Sequence, residues 1–223
     1  TEQLVLFENN TIGLGKKKDC QNRSVVTTPT EIVKYMVDKT LSKVCEGKTP
    51  SEILDISVAD IACGSGIFLE EAFAYLQDYC VQWYICNGQT DHLIETGIDL
   101  YKLPLQEKKD ILCSCIYGID IDIHAVEVAK FSLLIKLIED ETAPSVSEVV
   151  PILPDLGDNI QFGNSLVSQT ELNGISGANH QMMEIAPFDW STINNGCGFD
   201  VIIGNPPYVN TEGMHALLPS AEV

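Results

Sequence analysis

Asn205-Pro206-Pro207-Tyr208, at the end of the apolar run Val201-Ile202-Ile203-Gly204, holds the residue types best able to do chemistry in this chain. The asparagine carboxamide and the carbonyl of Pro206 are hydrogen-bond acceptors, and the tyrosine ring is a stacking face. Two prolines fix two φ angles and stop both strand and helix, so the acceptors are held on a rigid turn. Such a turn suits a planar base bearing an exocyclic amine. Two acceptors facing the amine hydrogens favour a pyramidal nitrogen and free a lone pair otherwise delocalised into the ring.

Three further segments have chemical potential. In Asp60-Ile61-Ala62-Cys63-Gly64-Ser65-Gly66-Ile67-Phe68-Leu69, the glycines let the backbone turn sharply and approach a ligand closely. A dinucleotide fingerprint would place a third glycine at 69 to seat a pyrophosphate; leucine stands there, so the loop admits a nucleoside without a phosphate cradle. In Gly118-Ile119-Asp120-Ile121-Asp122, the Asp120 carboxylate can accept from both hydroxyls of a ribose, while Asp122 suits a helix cap. In Gly163-Asn164-Ser165-Leu166, the Asn164 carboxamide can pair with the amino and ring nitrogens of an adenine. Each segment alone also reads as an ordinary turn or an exposed strand-end acid.

The elements that must position these residues follow from periodicity. Thr28-Pro29-Thr30-Glu31 predicts a helix start with Thr28 as N-cap and a capping box, followed by Ile32, Val33, Met36, Val37, Leu41 and Val44 on one face. Ile56–Ala62 predicts a buried strand, and Phe68, Leu69, Ala72, Phe73, Leu76, Cys80 and Trp83 a helix after the glycine turn. Residues 87–112 form an insertion with one short helix around Leu105–Ile111. A second strand is expected over Cys113–Ile121, a helix over Ala125–Leu137, a third strand at Ile160–Phe162 and a fourth at Asp200–Gly204. Residues 139–158 and 168–198 read as loop. Strands alternating with helices predict an α/β fold with a mostly parallel sheet covered on both faces. Open sheets of this kind bind ligands at the carboxyl ends of their strands, where all four chemical segments fall.

Composition limits the functions available. The 223 residues, 45% apolar and 20% charged, make one large domain with or without an extension, read as extension 1–27 and domain 28–223. No apolar stretch reaches membrane-span length and no signal pattern is present, so no membrane partner and a cytoplasmic location are expected. The eight cysteines are scattered without a C-x-x-C, and the four histidines form no ligand or triad pattern, so no metal is expected. Cys113 and Cys115, on the expected second strand, would point to one face. Cys63 reads as a small residue lining the ligand rather than a nucleophile. With 13 basic against 32 acidic residues, the chain carries a net charge of −19, which opposes phosphate binding. A nucleic-acid partner would need basic surface from elsewhere, since Lys16-Lys17-Lys18 and Arg23 read as a solvated loop.

Taken in order, Thr28-Pro29, D-x-A-C-G-S-G-x-F-L, G-I-D-I-D, G-N-S-L and N-P-P-Y resemble the S-adenosylmethionine-dependent DNA amino-methyltransferases. The similarity is greatest to the adenine-specific methylase part of bifunctional restriction–modification enzymes and type I modification subunits, over about residues 23 to 210. The resemblance implies a Rossmann-like methyltransferase sheet and transfer of a methyl group to the N6 amine of a flipped adenine in a restriction system. It implies that Thr28, Asp60, Ala62, Gly64, Gly66, Asp120 and Asn164 bind the cofactor, with Thr28 at its methionine end, Asp120 on its ribose and Asn164 on its adenine. It gives Asn205, Pro206, Pro207 and Tyr208 the catalytic role: Asn205 and the Pro206 carbonyl accept from the target amine and Tyr208 stacks on the base.

Ile61 replaces a proline common in the family, and 60 positions separate Asp60 from Asp120 where a compact unit has roughly 20. The insertion at 87–112 accounts for the difference. Strands expected after N-P-P-Y, and a target-recognition region, have no counterpart, so the sheet reads as incomplete at its C-terminus and DNA contact as belonging to other regions, with a fused or separate specificity or nuclease part. Competing readings are a protein-glutamine or RNA amino-methyltransferase, which also use N-P-P-Y, and a non-catalytic methyltransferase-fold subunit. The T-P block and Phe68-Leu69 favour DNA, and the asparagine favours adenine over cytosine.

Overall fold

A computed structural model describes residues 2–6, 12–16, 28–142, 149–167 and 186–206. The chain divides into a unit of Thr1–Thr28 with Pro207–Val223 and a unit of Pro29–Pro206. In the first, β1 (Glu2–Leu6) and β2 (Ile12–Lys16) form an antiparallel pair with Glu2 opposite Lys16. A hairpin thus stands in a segment whose sequence shows no sustained period.

The second unit runs α1 (Thr30–Cys45), α2 (Pro50–Ile53), β3 (Val58–Asp60), α3 (Ile67–Cys86), β4 (Ile94–Gly97), β5 (Leu100–Lys102), α4 (Leu105–Cys115), β6 (Ile116–Asp120), α5 (Ile123–Ile138), β7 (Ile160–Phe162) and β8 (Val201–Ile202). Four strands form a parallel sheet in the order β7-β6-β3-β8. Val58 faces Ile116 on one side and Val201 on the other, and Gly118 faces Ile160. The order places successive strands β3, β6 and β7 side by side, then crosses back so that β8 pairs with the other edge of β3. The reversal lies between β3 and β8, and such a reversal is where open α/β sheets bind ligands.

One face of the sheet carries the main core. Val33, Val37 and Leu41 of α1, Leu69, Phe73 and Leu76 of α3, and Leu133 and Leu137 of α5 pack with Val58, Ile116, Ile160 and Val201. Each such side chain contributes about 1.5–3 kcal/mol when fully buried. On the other face, Ala59, Tyr117 and Ile119 are covered by Phe188 and Ile193. Among the described residues that cover is the irregular segment 186–199, where alternation alone leads one to expect helices on both faces. Ile202 on β8 stays 61% exposed.

Three local expectations are corrected. Thr28 is not the N-cap of α1. Pro29, with ψ 137, takes that position, and no side-chain cap bond forms. The helix therefore begins one residue later, which moves Glu31 out of the third helical position a capping box requires. The same T-P-x-E pattern does form the box at Thr49-Pro50-Ser51-Glu52, where Thr49 N–H donates to Glu52 Oε2 at 2.8 Å and Glu52 N–H to Thr49 Oγ1 at 3.3 Å. Second, Cys113-Ser114-Cys115 closes α4 instead of opening a strand. Buried Leu105, Lys108, Ile111, Leu112 and Cys115 keep helical spacing to the end, and the strand starts at Ile116. Cys115 is consequently buried while Cys113 is half-exposed.

Third, the insertion contains more than one short helix: β4 and β5 pair antiparallel ahead of the longer α4. It is pinned to the end of α5 through Glu141, which meets Lys108 at 2.7 Å and Lys102 at 3.0 Å. The insertion follows Cys86, at the end of the 20-residue α3 opposite its glycine turn. A helix of that length spans about 30 Å, so the added residues leave the turn undisturbed. No helix among the described residues is long and apolar enough to cross a membrane.

Candidate active site

β3 ends at Asp60, and the chain then turns through Ala62–Gly66 into α3. Gly64 has φ +54 and Gly66 φ +91, conformations that favour glycine. At Gly66 a Cβ would also lie 3.1 Å from the Ala129 Cβ of α5, so glycine there allows α3 and α5 to meet. At Gly64 a Cβ would meet nothing within 4 Å, which leaves a backbone cradle that a side chain would occupy. The turn is held from both sides, as Cys63 N–H donates to Ile119 O at 3.0 Å and Gly66 N–H to Cys63 O at 2.8 Å.

Asp120, at the end of β6, is oriented by two backbone donors. Gly64 N–H reaches its Oδ2 at 2.7 Å and Asp122 N–H its Oδ1 at 2.8 Å. Each oxygen keeps a further lone pair for a ligand hydroxyl. Asp122 caps α5 by accepting from His124 N–H at 2.9 Å, as its position implies.

Asp60 is 2% exposed and its Oδ1 accepts from Ala62 N–H at 3.0 Å. Burial pushes its carboxyl up to about 7; the Ala62 amide opposes this and nearby Asp120 adds to it. Among the described residues no lysine or arginine forms an ion pair with it. A buried carboxylate beside a second carboxylate, with no cation paired to it among the described residues, can accept a positively charged ligand group. Burial likewise pushes the Cys63 thiol strongly up, with Asp60 and Asp120 adding to the rise. It is held neutral as a small wall residue and is unsuited to nucleophilic attack.

The turn after β7 meets the turn after β3 through Ser165, whose Oγ donates to Ile61 O at 2.7 Å. Asn164 Oδ1 accepts from Leu166 N–H at 3.1 Å, and Asn164 is bridged to Pro187. The carboxamide is thereby fixed through its oxygen.

β8 brings the fourth segment to the same edge. Ile203 N–H donates to Ala59 O at 2.9 Å, and Gly204 lies so close to Asp60 that any Cβ would collide with the carboxylate. Asn205, half-buried, and exposed Pro206 follow directly. Pro207 and Tyr208 lie outside the described residues. Thr28, 8% exposed, falls in the other unit. The sheet therefore gathers Asp60, Ala62, Gly64, Gly66, Asp120, Asn164, Asn205 and Pro206 at the carboxyl ends of its strands. Sequence reasoning missed Ser165 and the contact of Gly204 with Asp60, since no spacing rule signals contacts over 104 and 144 positions.

A parallel α/β sheet with a glycine turn after its first strand, an acid after its second and N-P-P at the strand-order reversal is a Rossmann-like methyltransferase fold. Its relatives narrow the class. The model of the Eco57I restriction-modification methylase family matches residues 114–221, a span that includes Asp120, Asn164 and Asn205, and the chain resembles that family. It is 42% identical over 219 residues, 98% of its length, to the type II restriction enzyme and methyltransferase RM.Eco57I of Escherichia coli. It is 34% identical over 122 residues, 55% of its length, to RM.MjaORFECS2P of Methanocaldococcus jannaschii. The chain spans 21% of the first protein and 9% of the second.

Proposed function

We propose that this chain is the methyl-transfer segment of a restriction–modification enzyme, moving a methyl group from S-adenosylmethionine to the exocyclic N6 amine of a flipped adenine in DNA. The observation that carries this reading is the contact of Gly204, directly ahead of Asn205 and Pro206, with Asp60 at the strand-order reversal. The residues present fit the cofactor: an open glycine cradle, an oriented carboxylate for a ribose and a buried carboxylate with no cation paired to it among the described residues.

When bound, the cofactor supplies an electrophilic methyl on a positively charged sulfur, so no covalent enzyme intermediate is needed. Gly64 and Gly66 permit close backbone approach, Asp120 accepts from the ribose hydroxyls, and Asn164 pairs with the cofactor adenine. Asp60 offers negative charge to the cationic methionine end and Ala62 lines it, and the resemblance assigns Thr28 to that end as well. Asn205 and the Pro206 carbonyl accept from the target amine, Pro207 stiffens the turn and Tyr208 stacks on the base. With an activated donor, positioning of the nitrogen supplies much of the acceleration. The target must leave the duplex, at a cost of a few kcal/mol that stacking partly offsets. With a net charge of −19, the chain leaves most phosphate contact to other parts of the full-length protein, including any specificity or nuclease part.

The test offers the full-length protein radiolabelled S-adenosylmethionine with duplex DNA, transfer RNA and a cell protein extract in parallel. Label recovered as N6-methyladenine from DNA is the expected result. Label in RNA or protein overturns the substrate class, and cofactor binding without transfer to any acceptor overturns the catalytic assignment.

A further inference from the structure

The last strand of the site has little sheet to hold it. β8 is two residues long, and only Val201 and Ile202 have ladder partners, Val58 and Ala59. Among the described residues it lies at the sheet edge, and its outer side chain, Ile202, is exposed. Yet Asn205 follows three residues later, and a turn that must aim acceptors at an amine cannot slide.

What fixes β8 is a reciprocal clamp at its start. The Ser57 N–H and Oγ–H both donate to Asp200 Oδ2, each at 2.8 Å. Asp200 N–H answers toward Ser57 Oγ and Ser57 O, both at 3.1 Å. Val201 N–H donates to Ser57 O at 3.0 Å. The clamp thus joins the residue before β3 to the residue before β8. Those donors also hold the Asp200 carboxyl below its usual range, so it is ionised at neutral pH and its bonds are charge-assisted.

We propose that Asp200 is a positioning residue for the transfer reaction: with Ser57 it sets the register of β8 and thereby the placement of Asn205 against the cofactor turn. This rests on the function proposed above. Asp200 touches neither cofactor nor base, since it sits at the amino end of the strand whose carboxyl end carries Asn205. Its effect passes along the strand, and a shift of about 1 Å at a reacting centre can cost about 100-fold in rate.

The experiment compares wild type, Asp200→Ala, Asp200→Asn and Ser57→Ala in the full-length protein. It measures methyl transfer to DNA, cofactor affinity by calorimetry and amide hydrogen exchange across residues 199–206. Asp200→Ala is expected to speed exchange at the Val201 and Ile203 amides and to lower kcat at least tenfold, with cofactor affinity within about twofold of wild type. Asp200→Asn, which keeps one acceptor for the Ser57 amide, is expected to recover part of both. Ser57→Ala, which keeps its N–H, should fall between. Unchanged exchange in Asp200→Ala overturns the clamp, and faster exchange with unchanged kcat overturns its positioning role. Loss of kcat and cofactor affinity in equal measure also overturns it, as this marks general unfolding of the site. Should wild type methylate no acceptor, the proposed function fails, and unaltered exchange in the variants would still refute the clamp independently.

Discussion

Asp60 should couple cofactor binding to proton release, and the size of the effect follows from its burial. Its carboxyl is pushed up to about 7 by desolvation, with Asp120 adding to the rise and the Ala62 amide opposing it. Cys63, the other titratable group close by, stays neutral. A cationic ligand requires the ionised carboxylate, so below pH 7 binding must expel a proton. Affinity should then be about tenfold weaker at pH 6, and about 100-fold weaker at pH 5, than above pH 7. At pH 6 about 0.9 proton should leave per ligand bound. Calorimetry of S-adenosylmethionine binding in buffers of different ionisation enthalpy measures both quantities. The window should stop near pH 7.5, because the ligand's own α-ammonium titrates around 8. Asp60→Asn should bind more weakly and show no slope. Affinity that is flat between pH 5 and 7.5 in wild type, or equally steep in Asp60→Asn, would refute the reasoning. Without ligand the same group acts on stability in the other direction. Because its folded pKa is raised from 3.8, its contribution is fully present below about pH 4 and is lost as pH rises through 7. The loss is on the order of 4 kcal/mol, readable as the difference in unfolding free energy between wild type and Asp60→Asn.

Asn205→Ala should abolish transfer while leaving cofactor affinity nearly unchanged, since the proposed role of its carboxamide is to accept from the amine; equilibrium binding beside single-turnover kinetics separates the two. Gly204→Ala should destabilise the protein by about 1–3 kcal/mol, because its Cβ meets the Asp60 carboxylate, and thermal unfolding should show Asp60→Ala recovering part of the loss in the double variant. Thr49→Ala should cost about 1 kcal/mol in denaturant unfolding through loss of the α2 cap, with no change in kcat.

Helix existence and turn geometry were legible in the sequence. The 3.6-residue spacing of Val33, Val37 and Leu41, and of Leu69, Phe73 and Leu76, is a local property that survives folding unchanged. The glycine turn, the Asp122 cap and the placement of the chemical segments at strand ends were legible for the same reason. The limits were equally local. Two T-P-x-E segments look alike, yet only Thr49 holds the N-cap position, because the backbone at Pro29 stays extended and starts its helix one residue later. Cys113-Ser114-Cys115 reads as strand in an apolar run, yet packing of Cys115 with Leu112 and Ile111 carries the helix through it. No run of neighbouring residues could indicate that, among the described residues, segment 186–199 covers the second sheet face.

The sequence by itself determined the main helices, the order of the four segments at the strand ends and the family they resemble, since each depends on interactions a few residues apart. Only the tertiary structure decided that β8 returns to the free edge of β3, setting Gly204 against Asp60, and that Ser57 and Asp200 join across 143 positions. It also decided the character of Asp60. An aspartate is acidic in any sequence, but its proton affinity depends on how much water surrounding chain removes, and that is known only once every layer has packed.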